Sequence, residues 1–279
     1  MATYVANSRT PRLTLAVTYL ILAGLSVLFF VPFVWLVITA FKPERDIFTT
    51  VWPRTWVWDN FTNGLTHFPF ALYLRNTLFL CAVNVVGTVL SSSLVAYGLS
   101  RIPWRGRHAL FALLISTMIL PSQVTMVPLF ALFKWLGWVD TYLPLTVPAF
   151  LGNAFFVFLL RQFFLTIPND LSEAARLDGC SEFTTYWRVM LPLATPALAT
   201  VGLFTFMNTW NDFLGPLIYL FDERKSTLSV GLAMFSSQYG SFWGQLMAVS
   251  TLMIIPILVM FFFTQRTFIQ GIAMSGIKG

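Results

Sequence analysis

Long apolar runs constrain this chain more than any other feature. A helix rises about 1.5 Å per residue, so roughly 20 apolar residues are needed to cross about 30 Å of hydrocarbon. Segments of that length and character cover residues 13–41, 72–100, 109–136, 142–165, 193–221 and 244–265. Continuous apolar runs indicate helices, because a barrel strand would alternate over about ten residues. We therefore predict an all-α integral membrane protein with six spans in one transmembrane domain, residues 1–279.

The composition supports this class. Charged residues make up 10% of the chain, whereas soluble domains carry about 25%. The third and fourth spans contain Pro121, Pro128, Pro144 and Pro148, and we expect both spans to be kinked or broken. The run 13–41 is longer than the apolar region of a signal peptide, which has about 7–15 residues, so it should remain as an anchor.

Charge predicts the orientation. With six spans, the side that holds both termini carries 10 basic and 4 acidic residues, and the opposite side carries 7 and 6. The positive side, with the N-terminal segment 1–12, should be cytoplasmic, and this asymmetry accounts for the net charge without nucleic acid. Arg101, Arg105, Arg107 and His108 either set this topology or contact anionic lipid.

A polar loop, residues 168–192, separates the fourth and fifth spans and faces the cytoplasm in this topology. Asp170 can cap a new helix, and Glu173 three residues later completes an Asp-x-x-Glu capping box. Gly179 is placed to end that helix after about two turns. The pattern predicts a short helix in the first half of the polar loop.

The second half of the polar loop predicts another short helix, about residues 181–190. Phe183 and Trp187 are four residues apart and should share a face. Ala174 and Ala175 leave room for a close approach of another helix. The polar loop is then a compact helix–turn–helix surface for a docking partner; the alternative is an ordinary interfacial loop.

The spacing of residues in the polar loop is specific. The polar loop resembles the EAA loop of ABC-importer permeases, with Glu173-Ala174-Ala175, three residues, Gly179, nine residues and Val189-x-Leu191-Pro192. The one departure is Val189, where the family pattern has Ile. The resemblance extends over most of the chain and is greatest to the sugar-importer class, typified by the shorter maltose-importer permease. Supporting segments are residues 120–128, 161–164, 210–217 and 276–279.

The resemblance implies a mechanism. The polar loop would dock on a cytoplasmic ATPase dimer that holds ATP and Mg, and alternating access would import a di- or oligosaccharide or a polyol glycoside. The residues expected to couple to the ATPase are Glu173, Ala174, Ala175, Arg176, Asp178, Gly179, Leu191 and Pro192. Other solutes of such importers, including glycerol phosphate, stay open.

The resemblance also implies partners and a location. The partners are a homologous second permease, the ATPase dimer, a periplasmic or lipid-anchored solute-binding protein, and lipid. The location is the bacterial cytoplasmic (inner) membrane, with both termini cytoplasmic. This chain should hold no cofactor and hydrolyse no ATP itself, because it lacks the G-x-x-x-x-G-K-[ST] phosphate loop.

Polar residues also interrupt the spans. A carboxylate such as Asp212 costs about 2.5–3.5 kcal/mol at the centre of a bilayer helix, so it should face the protein interior or a water cavity. One interpretation is a solute pathway in which amides and Asp212 bind sugar hydroxyls and Trp210 stacks on a sugar ring. The other is contact between helices or with the partner permease. The pathway candidates are Asn208, Trp210, Asn211, Asp212, Gln123 and Asn153.

Two other classes of protein remain to be weighed. A stand-alone secondary transporter would carry ion-coupling carboxylates near the midplane, where Asp212 alone qualifies, and an inverted repeat, which is not evident. A membrane enzyme would need a catalytic cluster, which the sequence does not suggest. His67 and His108 fall on opposite faces of the membrane, so no metal site is expected.

Overall fold

The computed structural model describes residues 12–237 and 240–276. Of the expected N-terminal segment 1–12 only Arg12 falls within them, and residues 277–279 of the tail lie outside. The helices are α1 (Arg12–Ala40), α2 (Asp59–Thr66), α3 (Phe70–Ser100), α4 (Arg107–Ser116), α5 (Ser122–Trp135), α6 (Leu143–Thr146), α7 (Ala154–Thr166), α8 (Asn169–Leu177), α9 (Glu182–Thr185), α10 (Leu191–Leu193), α11 (Thr195–Trp210), α12 (Leu214–Tyr219), α13 (Leu228–Ala233) and α14 (Trp243–Gly276). A single two-residue pairing, β1 (Ser236–Ser237) with β2 (Gly240–Ser241), is the strand content of the described residues.

The all-α membrane class is confirmed. In the described part of the chain, 4 helices are long and apolar enough to cross a membrane: Leu13–Ala40, Phe70–Ser100, Leu143–Thr166 and Trp243–Gln265. Two bent pairs bring the number to 6 if each pair is one span: Arg107–Ile119 with Gln123–Trp135, bent by 102°, and Glu182–Leu193 with Thr195–Trp210, bent by 79°. The six-span count and the single domain stay predictions.

The chain divides into two compact units, and the first comprises the residues up to His67 together with Phe235–Met253. Its α1 is apolar along its length and exposes its side chains, as a lipid-facing helix does. The amide of Asn60 donates to the carbonyls of Ala40 and Lys42 over 2.9 and 2.8 Å. These bonds fix the chain where it leaves α1.

The second unit comprises Phe68–Met234 and the residues from Ile254 onward. The core of the second unit forms where α3 packs against α7 and α11, around side chains that are fully buried, such as Ala96, Leu160 and Val201. This core continues into the polar loop through Tyr186 and Met190. The polar loop is therefore packed on the helices of this unit.

The expected break in the fourth span lies at Gly152, between a 3₁₀ turn (Val147–Leu151) and α7. Gly152 has a φ of +85°, a conformation that favours glycine. Serines of α3 satisfy the backbone freed by the break: Ser91 Oγ donates to the Ala149 carbonyl over 2.8 Å, and the Asn153 N–H donates to Ser92 Oγ over 3.2 Å. The break is held by hydrogen bonds, as an irregular segment at membrane depth requires.

Two loops of the second unit meet at Asp140. Its carboxylate accepts hydrogen bonds from the N–H groups of Phe221 and Asp222, each over 3.0 Å, and lies 2.8 Å from Lys225 Nζ. The Lys225 ammonium and these two N–H groups lower the pKa of Asp140 from 3.8 to about 2. The ionised carboxylate thus joins the turn after α5 to the turn after α12.

Candidate functional site: the polar loop

The polar loop begins with α8. Pro168 occupies the N-cap position with a φ of −55° and a ψ of 139°, and no side chain caps this end. The expectation that Asp170 caps the helix is therefore wrong: the extended backbone at Pro168 starts the helix at Asn169, two residues earlier than a cap at Asp170 would, and places Asp170 inside the first turn. A carboxylate there still interacts favourably with the helix dipole.

Gly179 ends α8 as predicted. Its φ is +81°. The Gly179 N–H donates to the Arg176 carbonyl over 3.0 Å, and the Cys180 N–H donates to the Ala175 carbonyl over 2.9 Å. These two bonds with a left-handed residue form a Schellman motif, which satisfies carbonyls at the helix end. The chain reverses at this point and returns toward the membrane helices.

The two faces of α8 differ in exposure. Ser172 and Ala175 are buried, and Ser172 Oγ lies 3.7 Å from Met190 Sδ in the second half of the polar loop. The opposite side exposes Glu173, Ala174 and Leu177, the last with 89% of its surface accessible. Of the two predicted small residues, Ala175 packs inward and Ala174 faces outward.

The second half of the polar loop is helical, as predicted for 181–190, although its turns are uneven. Ser181 caps α9 by accepting from the Thr184 N–H over 3.2 Å. A π-helical turn (Tyr186–Met190) follows, and α10 then carries Leu191 and Pro192. The rings of Phe183 and Trp187 stack at 6.4 Å and 14° on one exposed face, which confirms the predicted pairing.

An ion pair joins the halves of the polar loop. Arg176 Nε donates to Glu182 Oε1 over 2.8 Å, and the other oxygen of Glu182 accepts from the Tyr97 hydroxyl of α3 over 2.8 Å. The hydrogen bond to Glu182 raises the pKa of Arg176. Arg176 therefore bonds within the polar loop. Sequence reasoning missed the roles of Glu182 and Tyr97, which are far apart in the chain.

Arg101 corrects a second expectation. It was assigned to topology or to anionic lipid, but its guanidinium is buried and donates to the side chain of Asn169 and to the carbonyls of Phe164 and Ile167. These are carbonyls at the end of α7, where a cation compensates the helix dipole. A lipid contact is wrong for this residue because the bonds hold the guanidinium inside the protein.

Two of the candidate residues for a solute pathway, Trp210 and Asp212, make their contacts within the protein. Trp210 is 1% exposed and its ring stacks on Phe206 at 5.5 Å, so the ring offers no free face to a sugar in this conformation. Asp212 Oδ1 accepts from the Gly215 N–H over 3.0 Å, and its backbone carbonyl accepts from the Ser229 hydroxyl. Both observations favour contact between helices over solute binding at these two residues.

The amide candidates are exposed, and the hydrogen bonds described for them are local. Asn211 Nδ2 donates to the Met207 carbonyl over 2.8 Å. Asn153 Oδ1 caps α7 by accepting from the N–H groups of Phe155 and Phe156. Asn208 and Gln123 also lie on the surface of the chain. These residues remain candidates by position rather than by a shared site.

The fold and the polar loop define a class: an integral membrane transport component that presents a short helical surface outside its spans. Residues 87–274 match the family of the binding-protein-dependent transport system inner membrane component, and the chain belongs to that family. The predicted membership is confirmed.

Relatives with known names span nearly the whole chain. The arabinooligosaccharides transport system permease protein AraQ of Bacillus subtilis is 34% identical over 91% of this chain and 92% of its own length. The trehalose/maltose transport system permease protein MalG of Thermococcus litoralis is 31% identical over 89% and 91%. The probable ABC transporter permease protein YurM of Bacillus subtilis is 36% identical over 89% and 83%.

Solved structures share the fold. A chain of a bacterial ABC transporter involved in the import of the acidic polysaccharide alginate superposes with a TM-score of 0.80, at 25% identity, over 94% of this chain and 98% of that one. A chain of an alginate ABC transporter in complex with an alginate-bound periplasmic protein gives a TM-score of 0.63 at 16% identity, which bears on the fold alone. The chain is therefore a permease subunit of an ABC importer in the inner membrane.

Proposed function

We propose that this permease subunit imports a carbohydrate and that the polar loop transmits the ATP-driven movement of a separate ATPase. The observation that carries the proposal is the polar loop itself: a helix ended by a Schellman turn at Gly179, with Glu173 exposed beside it. Binding of ATP would close the ATPase dimer, and the polar loop would convert this closure into a change of access.

Exposed groups on the polar loop suit a protein cleft. Leu177, Phe183 and Trp187 expose apolar surface, and Glu173 and Asp178 supply negative charge at the edge of α8. Aromatic side chains surrounded by polar groups are typical of interface centres. The ATP and Mg belong to the ATPase, and this chain does no catalysis in the proposal.

The solute class comes from the relatives. Arabinooligosaccharides, trehalose/maltose and alginate, which appear in the relatives' names, are all carbohydrates. We propose a di- or oligosaccharide delivered by a solute-binding protein, with a homologous permease completing the pathway and both termini cytoplasmic. Asn208 and Asn211 are the exposed amides of α11 and its end that would face the solute.

Charge reversal of Glu173 tests the docking role. In the complex of both permeases, ATPase and binding protein, Glu173→Lys should reduce retention of the ATPase on the purified permeases by at least about tenfold, because charge complementarity at a docked interface is lost when an ammonium replaces the carboxylate. Glu223→Lys is the matched control, since it reverses another exposed acid outside the polar loop. Normal retention in Glu173→Lys would reject docking through this loop.

The solute class is tested in proteoliposomes. Uptake is measured with arabinotriose, maltose, trehalose and glycerol 3-phosphate, each with the cognate binding protein and internal ATP. The proposal expects ATP-dependent uptake of a saccharide. Uptake of glycerol 3-phosphate alone would overturn the carbohydrate assignment, and uptake without ATP or ATPase would point to a secondary transporter.

A further inference from the structure

One face of α3, continued by its C-cap residue Arg101, carries three polar side chains at intervals of four residues: Ser93, Tyr97 and Arg101. Residues four apart lie above one another on a helix, so these groups form a stripe about 12 Å long at the end of α3 nearest the polar loop. We call these residues the α3 stripe. The sequence signals its spacing but not its partners.

Each member of the α3 stripe binds a different part of the polar loop. The hydroxyls of Ser93 and Tyr186 share a hydrogen bond of 2.8 Å at the π-helical turn. The Tyr97 hydroxyl donates to Glu182 at the start of α9. Arg101 donates to Asn169, the first residue of α8. The α3 stripe thus bonds to both halves of the polar loop.

The α3-stripe members of these contacts are buried, whereas Asn169 is exposed and the Glu182 side chain is 42% exposed. Ser93 is 0% exposed, Tyr97 2% and Arg101 8%. Breaking a buried hydrogen bond leaves a donor or an acceptor unsatisfied, and bonds to charged groups are the more costly to lose. Separation of the polar loop from α3 would leave these buried groups without partners, so we expect the bonds to persist when the polar loop is displaced.

Chain connectivity makes the α3 stripe important. The polar loop continues directly into α7 on one side and into α11 on the other, but α3 precedes it by about 70 residues of chain. Any force on the polar loop reaches α3 only through contacts in space. Ring contacts such as Tyr97 with Tyr186, at 5.3 Å, are less directional than hydrogen bonds and do not fix the register alone.

We propose that the α3 stripe is the contact through which movement of the polar loop is transmitted to α3, so that Tyr97 and Arg101 are positioning residues for transport. This inference rests on the proposed function. In both nucleotide states of the ATPase, α3 and the polar loop move as one body, and the α3 stripe prevents slippage between them.

The test uses Tyr97→Phe, which keeps the ring and removes the bond to Glu182 while Arg176–Glu182 stays intact. Tyr186→Phe is added to remove the second hydroxyl. The matched control is Tyr142→Phe, which removes a hydroxyl bonded to the Lys225 carbonyl elsewhere in the same unit.

Spin labels report the coupling between the polar loop and α3. With Cys81 and Cys180 replaced, labels are placed at Leu171→Cys and Leu94→Cys, which are both exposed and lie outside the proposed docking surface. Distances are measured in the full complex with and without MgATP and vanadate. The wild type and Tyr142→Phe should keep one distance in both states. In Tyr97→Phe the ratio of molecules with the polar loop bound to α3 to molecules with the two separated should fall by about tenfold. A second distance between the labels should then appear.

The outcomes separate the two proposals. A single unchanged distance in Tyr97→Phe and in the double variant would overturn the role of the α3 stripe. Retention of the ATPase should be normal in these variants, because docking is untouched; failure of docking through the polar loop would show instead in Glu173→Lys. Should the double variant not assemble, Glu182→Gln, which keeps the shape and weakens both bonds, should give an intermediate distance distribution, and a wild-type distribution would reject the proposal.

Discussion

The left-handed backbone of Gly179 sets the shape of the polar loop, and substitutions at this residue can separate backbone strain from side-chain bulk. A Cβ built on Gly179 meets no atom within 4 Å. The cost of a substitution within the chain is therefore conformational and arises from the φ of +81°. Alanine and asparagine differ in this respect, because asparagine tolerates left-handed backbone.

The expected magnitude follows from this geometry. An L-residue other than asparagine or aspartate pays about 1–2 kcal/mol in the left-handed conformation. Gly179→Ala should therefore shift the equilibrium from the hydrogen-bonded turn toward the turn with these bonds broken by roughly 5- to 30-fold. Gly179→Asn should shift it by much less, although asparagine is the larger residue.

Hydrogen exchange measures this equilibrium at the turn. The N–H groups of residue 179 and Cys180 donate to Arg176 and Ala175, so their protection falls as the turn opens. Exchange is followed by mass spectrometry on the purified complex, with Gly137→Ala as the matched control: that glycine also has a positive φ and an open surrounding, but lies outside the polar loop.

The order of the two variants decides the question. Gly179→Ala should exchange faster than Gly179→Asn and should also retain less of the ATPase. Equal exchange in the two, or faster exchange in Gly179→Asn, would refute the reasoning from φ.

Two further predictions concern the second unit. Gly87→Ala would place a Cβ 2.8 Å from the Phe150 ring, so it should destabilise the protein by about 1–3 kcal/mol. The measurement is the melting temperature in detergent, which should fall. The control is Gly98→Ala, which lies on the same helix, meets open space and should not be destabilised. The lowered pKa of Asp140 stabilises the fold above its unfolded pKa, and this contribution is lost as the pH falls from 3.8 to about 2. The difference in melting temperature between wild type and Asp140→Asn should thus be constant at neutral pH and should shrink toward zero as the pH falls from 3.8 to about 2. A difference that persists at pH 2 would contradict the role of the Lys225 contact.

Features that depend on neighbours in the chain were predicted well. The apolar runs located the membrane helices because hydrophobic length is a property of a continuous segment. Gly179 was placed correctly because a helix end needs a left-handed residue within a few positions of the last turn. The one local error, at Asp170, arose because Pro168 offered a competing start whose backbone geometry took precedence.

Features that depend on distant contacts were missed. The bond between Tyr97 and Glu182 joins residues 85 positions apart. Nothing local distinguishes Arg101 from Arg105, yet one is buried between three helices and the other is exposed. Trp210 invited a sugar-stacking interpretation from its neighbours, but its ring packs on Phe206.

The sequence by itself determined that this is a helical membrane protein, that it carries a short helical loop of defined length, and which family that loop belongs to, because each of these follows from the spacing of residues along one segment. Only the tertiary structure decided which residues the polar loop contacts. The packing of α3 beside α7 and α11 brings Ser93, Tyr97 and Arg101 to partners far along the chain, and buried polar groups then bond whichever partners the packing places within reach.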